Sequence, residues 1–281
     1  MSIKAVISAA GFGTRFFPLT KAVNKCMLAI GNLPVIHFLI NELMLAQVNQ
    51  IAFVTWPGDD QLRRYFTESS EMRLFFEKCG WADKYQPVSD LHRRLCELDF
   101  HWIEQPMDGR YGTAIPAMIA RTWVGASEWL LLSGDDLVLR EDGGSDIADL
   151  IAARTKASAS AAIQVATVPM ERVSRYGVIR TRIESGHLLF DGAVEKPRTE
   201  LAPSNLASIS RFLLQPDFFD FLDQLEPDPI TGEFQSISAI INYARTKSVL
   251  VHEIAGQYHD CGQPNGWLAA NIAAQKLGYA F

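Results

Sequence analysis

The segment Gly11-Phe12-Gly13-Thr14-Arg15 places two glycines, a hydroxyl and a guanidinium in five consecutive positions, and Lys21 and Lys25 follow within ten residues. Glycine lets a backbone approach a ligand closely and aim its N–H groups at anionic oxygens. Nearby cations then neutralise what the amides hold. The chemistry of such a segment is phosphate binding, with Ala10, Gly11, Gly13 and Thr14 as the candidate contacts. The segment is not a P-loop, because the Gly-Lys-Ser/Thr ending is absent. It is a poor dinucleotide fingerprint as well: the third glycine is missing and Pro18 interrupts the expected helix. An ordinary glycine turn with solvated basic side chains is the alternative. The strand-like run before it and the three cations after it favour phosphate.

Acidic candidates lie farther along. Asp135-Asp136 follows the apolar run Trp129 to Ser133. Ligands of open α/β sheets gather at the carboxyl ends of strands, and Mg²⁺ takes one or two carboxylates together with phosphate oxygens and waters. A turn or helix cap is the competing explanation for an Asp pair there. Glu195-Lys196 sits just after another strand-like run and before Pro197. A carboxylate there can accept from two sugar hydroxyls while the ammonium beside it holds a phosphate; an exposed charge pair is the simpler alternative. Gly177 suits a backbone that must approach a hexose closely. Gln105 ends a strand and offers an amide donor and acceptor together, which matches the imide edge of uracil or thymine.

The elements that must position these residues alternate. Ile3 to Ala10, Ile51 to Thr55, Phe100 to Gln105 and Trp129 to Ser133 read as strands. Leu33 to Val48, Asp59 to Cys79 and Thr113 to Trp123 read as helices, with Pro34 in the first turn of the earliest. This argues for a largely parallel sheet covered on both faces. The second half is richer in strands: Ala161 to Val168, Val178 to Arg182, Leu188 to Val194 and Leu206 to Leu214. Helices return at Asp217 to Gln224, Gln235 to Arg245 and the C terminus. No internal repeat or low-complexity linker divides the 281 residues, so one domain spanning 1–281 is expected, its nucleotide-binding half first and its sugar-binding half second.

Composition narrows the setting. Net charge is −6 with 48% hydrophobic residues, and the pI is near 5.5. An acidic surface repels nucleic acid and anionic membrane, so neither is an expected partner. No apolar run approaches membrane-spanning length. The four cysteines, Cys26, Cys79, Cys96 and Cys261, form no C-x-x-C pair, which suits reduced thiols in a soluble cytoplasmic protein.

The ordered blocks Ala9 to Arg15, Pro18 to Ala22, Lys25 to Leu28, Gly134-Asp135-Asp136-Leu137, Tyr176 to Ile179, Glu195-Lys196-Pro197, Ala202 to Ala207, Gly232-Glu233-Phe234-Gln235 and Asp260-Cys261-Gly262 resemble the bacterial UTP–glucose-1-phosphate uridylyltransferases over nearly the whole chain. The resemblance implies an α/β, Rossmann-like nucleotidyltransferase fold with a mixed, mostly parallel sheet flanked by helices. It implies Mg²⁺ as cofactor, and attack by glucose 1-phosphate on the α-phosphorus of UTP to give UDP-glucose and pyrophosphate. It assigns Arg15, Lys25 and Lys196 to catalysis and Asp135, rather than Asp136, to the metal, with Asp260 as a second carboxylate. Gln105 and Gly112 fall at its base-reading positions; Gly177, Glu195, Lys196 and Glu233 fall at its sugar-binding ones. It also implies a homo-oligomer.

Three positions depart from the family pattern. Its Lys-Glu-Met-Leu-Pro is Lys25-Cys26-Met27-Leu28-Ala29 here, its Gly-Leu-Gly-His-Ala is Arg110-Tyr111-Gly112-Thr113-Ala114, and its Gln-Leu-Thr-Asp is Gln235-Ser236-Ile237-Ser238. The phosphate and metal residues are retained, while the choice of base and hexose stays open. Two alternatives accompany the leading reading: the same chemistry with another pyrimidine triphosphate or hexose 1-phosphate, and a weakly active, nucleotide-sugar-binding regulatory paralogue.

Overall fold

The computed structural model describes residues 2–279. Its strands, in chain order, are β1 (Lys4–Ser8), β2 (Ala29–Ile30), β3 (Leu33–Pro34), β4 (Gln50–Thr55), β5 (Asp99–Glu104), β6 (Trp129–Ser133), β7 (Asp136–Leu139), β8 (Ala161–Thr167), β9 (Gly177–Glu184), β10 (His187–Glu195), β11 (Leu206–Leu214), β12 (Val249–Glu253) and β13 (Gln257–Asp260). Among the described residues, nine of them form one sheet in the order β5-β4-β1-β6-β11-β8-β12-β10-β9, and the short pairs β2-β3 and β7-β13 stand apart.

Central strands read as unbroken apolar runs because both of their faces are covered. Alternate residues of β1 point to opposite sides. Val6 joins a core with Val54, Leu131, Ile163 and the helices Ile115–Val124 and Ser236–Ala244. Ala5 and Ile7 join another with Phe53, Leu130, Leu132 and helix Val35–Leu45. The mixed sheet expected from the sequence is present. Its parallel pairings link β5, β4, β1 and β6, and β8 with β12. Strand β11 enters antiparallel between β6 and β8, and β9-β10 is an antiparallel hairpin. The parallel character therefore belongs mainly to the first half of the chain.

Some boundaries differ from expectation. Asp59 to Cys79 is two helices, Gln61–Phe66 and Ser70–Lys78, broken where Ser69 accepts from the Met72 amide and starts the second. Pro34 caps helix Val35–Leu45 from an extended conformation instead of sitting in its first turn. Helix Ala82–Leu95 escaped the apolar pattern, because only Tyr85 and Leu95 on it are buried. The helix expected at the C terminus runs Pro264–Lys276, and residues 280 and 281 lie outside the described residues.

Strand β11 carries the main irregularity. Its register against β8 jumps between Ser208 and Phe212, and Ser210 takes a left-handed φ of 50°. This bulge turns Arg211 into the interior, where its guanidinium makes a two-pronged pair with Glu42 at 3.0 and 2.8 Å and donates to the Asp136 carbonyl at 3.1 Å. Bulges re-aim side chains in this way next to active sites.

Candidate active site

The carboxyl end of β6 opens onto a cleft of about 270 Å³, closed on its far side by the start of β9 and the end of β10. Arg15, Lys25, Asp135, Gly177, Glu195, Lys196, Glu233 and Asp260, all singled out from the sequence, line it together. They come from positions spread across the chain, and the sheet order is what joins them.

Lys25 opens the short turn Lys25–Met27. Its Nζ lies 2.7 Å from Asp135 Oδ2, and its side chain runs beneath the glycine loop: a Cβ on Gly11 would sit 3.1 Å from that Nζ. Burial works against the ammonium, but the charge and hydrogen bond of Asp135, together with other neighbouring groups, outweigh it and raise the group above the usual lysine range. Asp135 lies in the sharp turn between β6 and β7. Burial pushes its carboxyl up; Lys25 and a 2.7 Å hydrogen bond from the Ser133 hydroxyl overcome that and hold it below the usual carboxylate range. Its neighbour behaves oppositely. Burial, then the charges of Asp135 and Asp260, push Asp136 well above the usual range, although Tyr258 donates to it at 2.7 Å. The two carboxyls of the pair are thus shifted in opposite directions.

Strand β13 brings Asp260 into register with Asp136 across β7. Burial raises its carboxyl, and Gln263, Arg15 and the Gly262 amide work against the rise. A Cβ on Gly262 would overlap Asp135 Oδ2 and stand 3.0 Å from Asp260 Oδ1, so these two oxygens border one small space. Among the described residues no three His, Cys, Asp or Glu side chains converge into a metal cluster. Two carboxylates beside a glycine-rich loop fit Mg²⁺, which can take its remaining ligands from anionic substrate oxygens and water.

On the opposite wall Gly177 faces Glu195 in the β9-β10 ladder. The Glu195 carboxylate lies across the glycine, with Oε2 2.9 Å from where a Cβ would be. Successive residues of a strand point to opposite faces, yet both Glu195 and Lys196 line the cleft. Lys196 does so by taking a left-handed φ of 44°, its N–H bonded to the Tyr176 carbonyl at 3.0 Å. Its ammonium lies 3.0 Å from Glu195 Oε1, and both side chains remain about half exposed.

Six sequence candidates do not line this cleft: Ala10, Gly11, Gly13, Thr14, Gln105 and Gly112; of these Gly11 lines a neighbouring cleft beside the turn that follows β4. Gln105 is buried just beyond β5, its N–H bonded to the Thr55 carbonyl at 2.8 Å. Gly112 has a reason of its own to be glycine. Its φ is 129°, and a Cβ would collide with the Phe234 backbone, which exchanges hydrogen bonds with Tyr111 and Ala114. Conversely, the cleft includes Arg175, Tyr176, Ser208, Ser210 and Tyr258, which the sequence reading passed over as site residues. Arg175 directly precedes the recognised Tyr176-Gly177 block, and that adjacency was the available signal. Ser210 had none, because only the bulge in β11 turns it inward.

The nucleotidyl transferase family profile matches residues 4–276. The chain belongs to that family. It is 33% identical over 276 residues to a UTP–glucose-1-phosphate uridylyltransferase of Pseudomonas aeruginosa, covering 98% of this chain and 96% of the relative. An apo UDP-glucose pyrophosphorylase structure superposes with a TM-score of 0.88 at 30% identity, covering 98% of this chain and 99% of the other. A UDP-glucose pyrophosphorylase complexed with UDP-glucose gives 0.86 at 30% identity, with the same coverage. Two of the departures from the family pattern have local packing reasons. Cys26 is buried with its Sγ 2.8 Å from where a Gly134 Cβ would sit. Thr113 accepts from the amide and the hydroxyl of Ser236 at 2.9 and 3.0 Å, tying the segment after Gly112 to helix Ser236–Ala244. No described helix is long and apolar enough to cross a membrane.

Proposed function

We propose that this protein transfers the uridylyl group of UTP to glucose 1-phosphate, giving UDP-glucose and pyrophosphate, with Mg²⁺ as cofactor. The observation that carries the reading is the cleft itself, where Arg15, Lys25, Asp135 and Asp260 face Glu195 and Lys196. Two polyanions must meet in this reaction, so its demand is charge neutralisation and in-line positioning. The names of full-length relatives support the same substrates.

In this proposal the amides of Ala10, Gly11, Gly13 and Thr14 cradle the triphosphate. Arg15 and Lys25 neutralise the charge that builds on departing pyrophosphate. Glu195 accepts from hexose hydroxyls, with Gly177 letting the ring come close and Glu233 bordering it. Lys196 holds the sugar's phosphate, whose oxygen attacks the α-phosphorus as the bond to pyrophosphate breaks. Gln105 and Gly112 border the base. Asp135 and Asp260 would hold Mg²⁺, which when bound supplies further neutralisation of phosphate charge. The lowering of the Asp135 carboxyl and the raising of that of Asp136 support choosing the former as ligand.

The proposal includes a single working unit over residues 1–281, cytoplasmic residence and self-assembly, the last tested by light scattering. Thr113 lies in the cleft beside Ser236 where the family pattern has histidine. This favours a second reading, the same chemistry with another pyrimidine triphosphate or hexose. Pyrophosphate release should be assayed with four nucleoside triphosphates crossed with several hexose 1-phosphates. UTP with glucose 1-phosphate is the expected leading pair, with ATP and GTP poor. Equal rates with all four triphosphates would overturn the base assignment.

A further inference from the structure

The glycine loop rests on few side chains, chiefly those of Lys25 and Thr20. Gly11, Phe12, Thr14 and Arg15 are exposed, and the turn Thr14–Phe16 buries no residue. Between the loop and the turn that follows β4 lies a cleft of about 530 Å³. What spans that gap is a small set of contacts. The Phe12 ring, 54% exposed, stacks on Trp56 with centroids 4.1 Å apart and planes at 28°. Asn24, 8% exposed, uses every side-chain hydrogen-bonding group. Its Nδ2 donates to the Ala9 carbonyl at 2.8 Å and to Asp59 Oδ2 at 2.7 Å, and its Oδ1 accepts from the Cys26 amide at 2.9 Å. The Asn24 amide donates to Gln61 Oε1 at 3.1 Å, and the Gln61 amide donates to Asp59 Oδ1 at 3.1 Å.

These bonds close a frame. Ala9 lies two residues before the first glycine, and Cys26 adjoins Lys25, whose ammonium lies under Gly11. One amide side chain therefore sets the distance between the two ends of the loop and fastens both to the turn Trp56–Gln61, while the aromatic stack fixes the loop's tip. A flipped or absent amide cannot do this: an Asn24 oxygen in place of Nδ2 would face two other acceptors.

We propose that Asn24, Asp59 and Trp56 are positioning residues that brace the phosphate-binding loop and set its affinity for the triphosphate. The proposal rests on the phosphate-binding reading of the loop. None of the three need touch substrate; each acts through the loop's amides and Lys25. The energetic reason is preorganisation. A loop already held in its binding shape loses less freedom when an anion arrives.

The test uses the full chain and two readouts: calorimetric affinity for pyrophosphate in the presence of Mg²⁺, and steady-state KM values for UTP and glucose 1-phosphate. Trp56→Ala should weaken pyrophosphate binding and raise the KM for UTP by roughly three- to tenfold, the scale of one lost packing or hydrogen-bond contact. Trp56→Phe, which keeps a ring for Phe12, should recover most of that. Asn24→Asp preserves volume but sets like acceptors against each other, and should weaken pyrophosphate binding by about tenfold or more. The KM for glucose 1-phosphate should stay within about twofold throughout, the range of changes that touch nothing. If Asn24→Asp fails to fold, the Trp56 pair decides. Pyrophosphate affinity unchanged in Trp56→Ala overturns the proposal, as does a Trp56→Phe variant as weak as Trp56→Ala, or a glucose 1-phosphate KM that rises in step with that of UTP. A parent protein that binds no pyrophosphate overturns it too. A parent that binds pyrophosphate yet fails to turn over UTP with glucose 1-phosphate sinks the proposed reaction and leaves the brace standing.

Discussion

Asp135 and Asp136 are adjacent, equally buried and chemically identical, yet their surroundings divide them. Lys25 and Ser133 pull the first below the usual carboxylate range, while burial and two neighbouring carboxylates push the second well above it. Asp135→Ala should therefore lower kcat by about 10²–10³, the usual loss when a group aimed at developing charge is removed. Asp136→Asn should be far milder, since Asp136 is held by the Tyr258 hydroxyl and is not the carboxylate paired with Lys25; its circular dichroism and kcat should stay close to the parent's. Across the cleft, Glu195→Gln should raise the KM for glucose 1-phosphate several-fold, because a hydrogen bond to a charged acceptor exceeds a neutral one by roughly 1 kcal/mol. The KM for UTP should hardly move. Steady-state kinetics on the three variants checks both expectations, and a Glu195→Gln enzyme that loses UTP affinity equally would mean the two walls are misassigned. Both carboxylates were legible in the sequence because strand-like runs end just before or at them. The opposite shifts of Asp135 and Asp136 were not legible, since these depend on burial and on Lys25 and Asp260, each more than 100 residues away.

Elements set where such residues can stand. Strand β1 was readable because both of its faces are buried, leaving an unbroken apolar run. Helix Ala82–Leu95 was not readable, because it lies mostly in solvent and needs no apolar stripe. The segment around Gly112 shows how one element constrains another. Gly112→Ala would push a Cβ into the Phe234 backbone at a φ of 129°. Gly58→Ala also starts from a positive φ, 77°, but meets nothing within 4 Å. Both should destabilise through backbone strain, by roughly 1–3 kcal/mol, and Gly112→Ala by more. Chemical denaturation of the pair isolates the clash, and equal losses would remove it. Helix Val35–Leu45 and helix Gln61–Phe66 meet at His37, whose ring nitrogen lies 3.0 Å from the Tyr65 hydroxyl. Burial, aided by Arg94, lowers His37 to about 4. The unfolded imidazole takes up a proton below about pH 6.5, while the folded one resists until about 4. Stability from this site is complete above the unfolded value and is lost as pH falls. Between pH 7 and 5 the loss should be about 2 kcal/mol. A His37→Asn variant should lose correspondingly less over that range in urea unfolding.

At the scale of the whole molecule, the bulge in β11 anchors the second half of the chain to the first. Arg211 reaches Glu42 and the Asp136 carbonyl beneath the cleft, and its side chain is 1% exposed. Glu42→Gln would leave that guanidinium buried without a counter-charge, and should cost about 3–5 kcal/mol in denaturant unfolding. A loss near zero would mean that water reaches the site. No local pattern announces this pair, because its partners lie 169 residues apart. The same placement of β11 bears on how the protein is made. Strands β5, β4, β1 and β6 are complete once Ser133 has been synthesised, yet β6 gains its second neighbour only with Arg211 to Leu214. At ~5–20 residues per second, the intervening stretch of about 80 residues takes roughly 4–16 s to emerge. During that interval Trp-Leu-Leu-Leu-Ser is an open, apolar sheet edge on a nascent chain, the kind of surface that invites pairing with another molecule. Holding β6 until β11 arrives is thus a task for whatever shelters the chain at the ribosome.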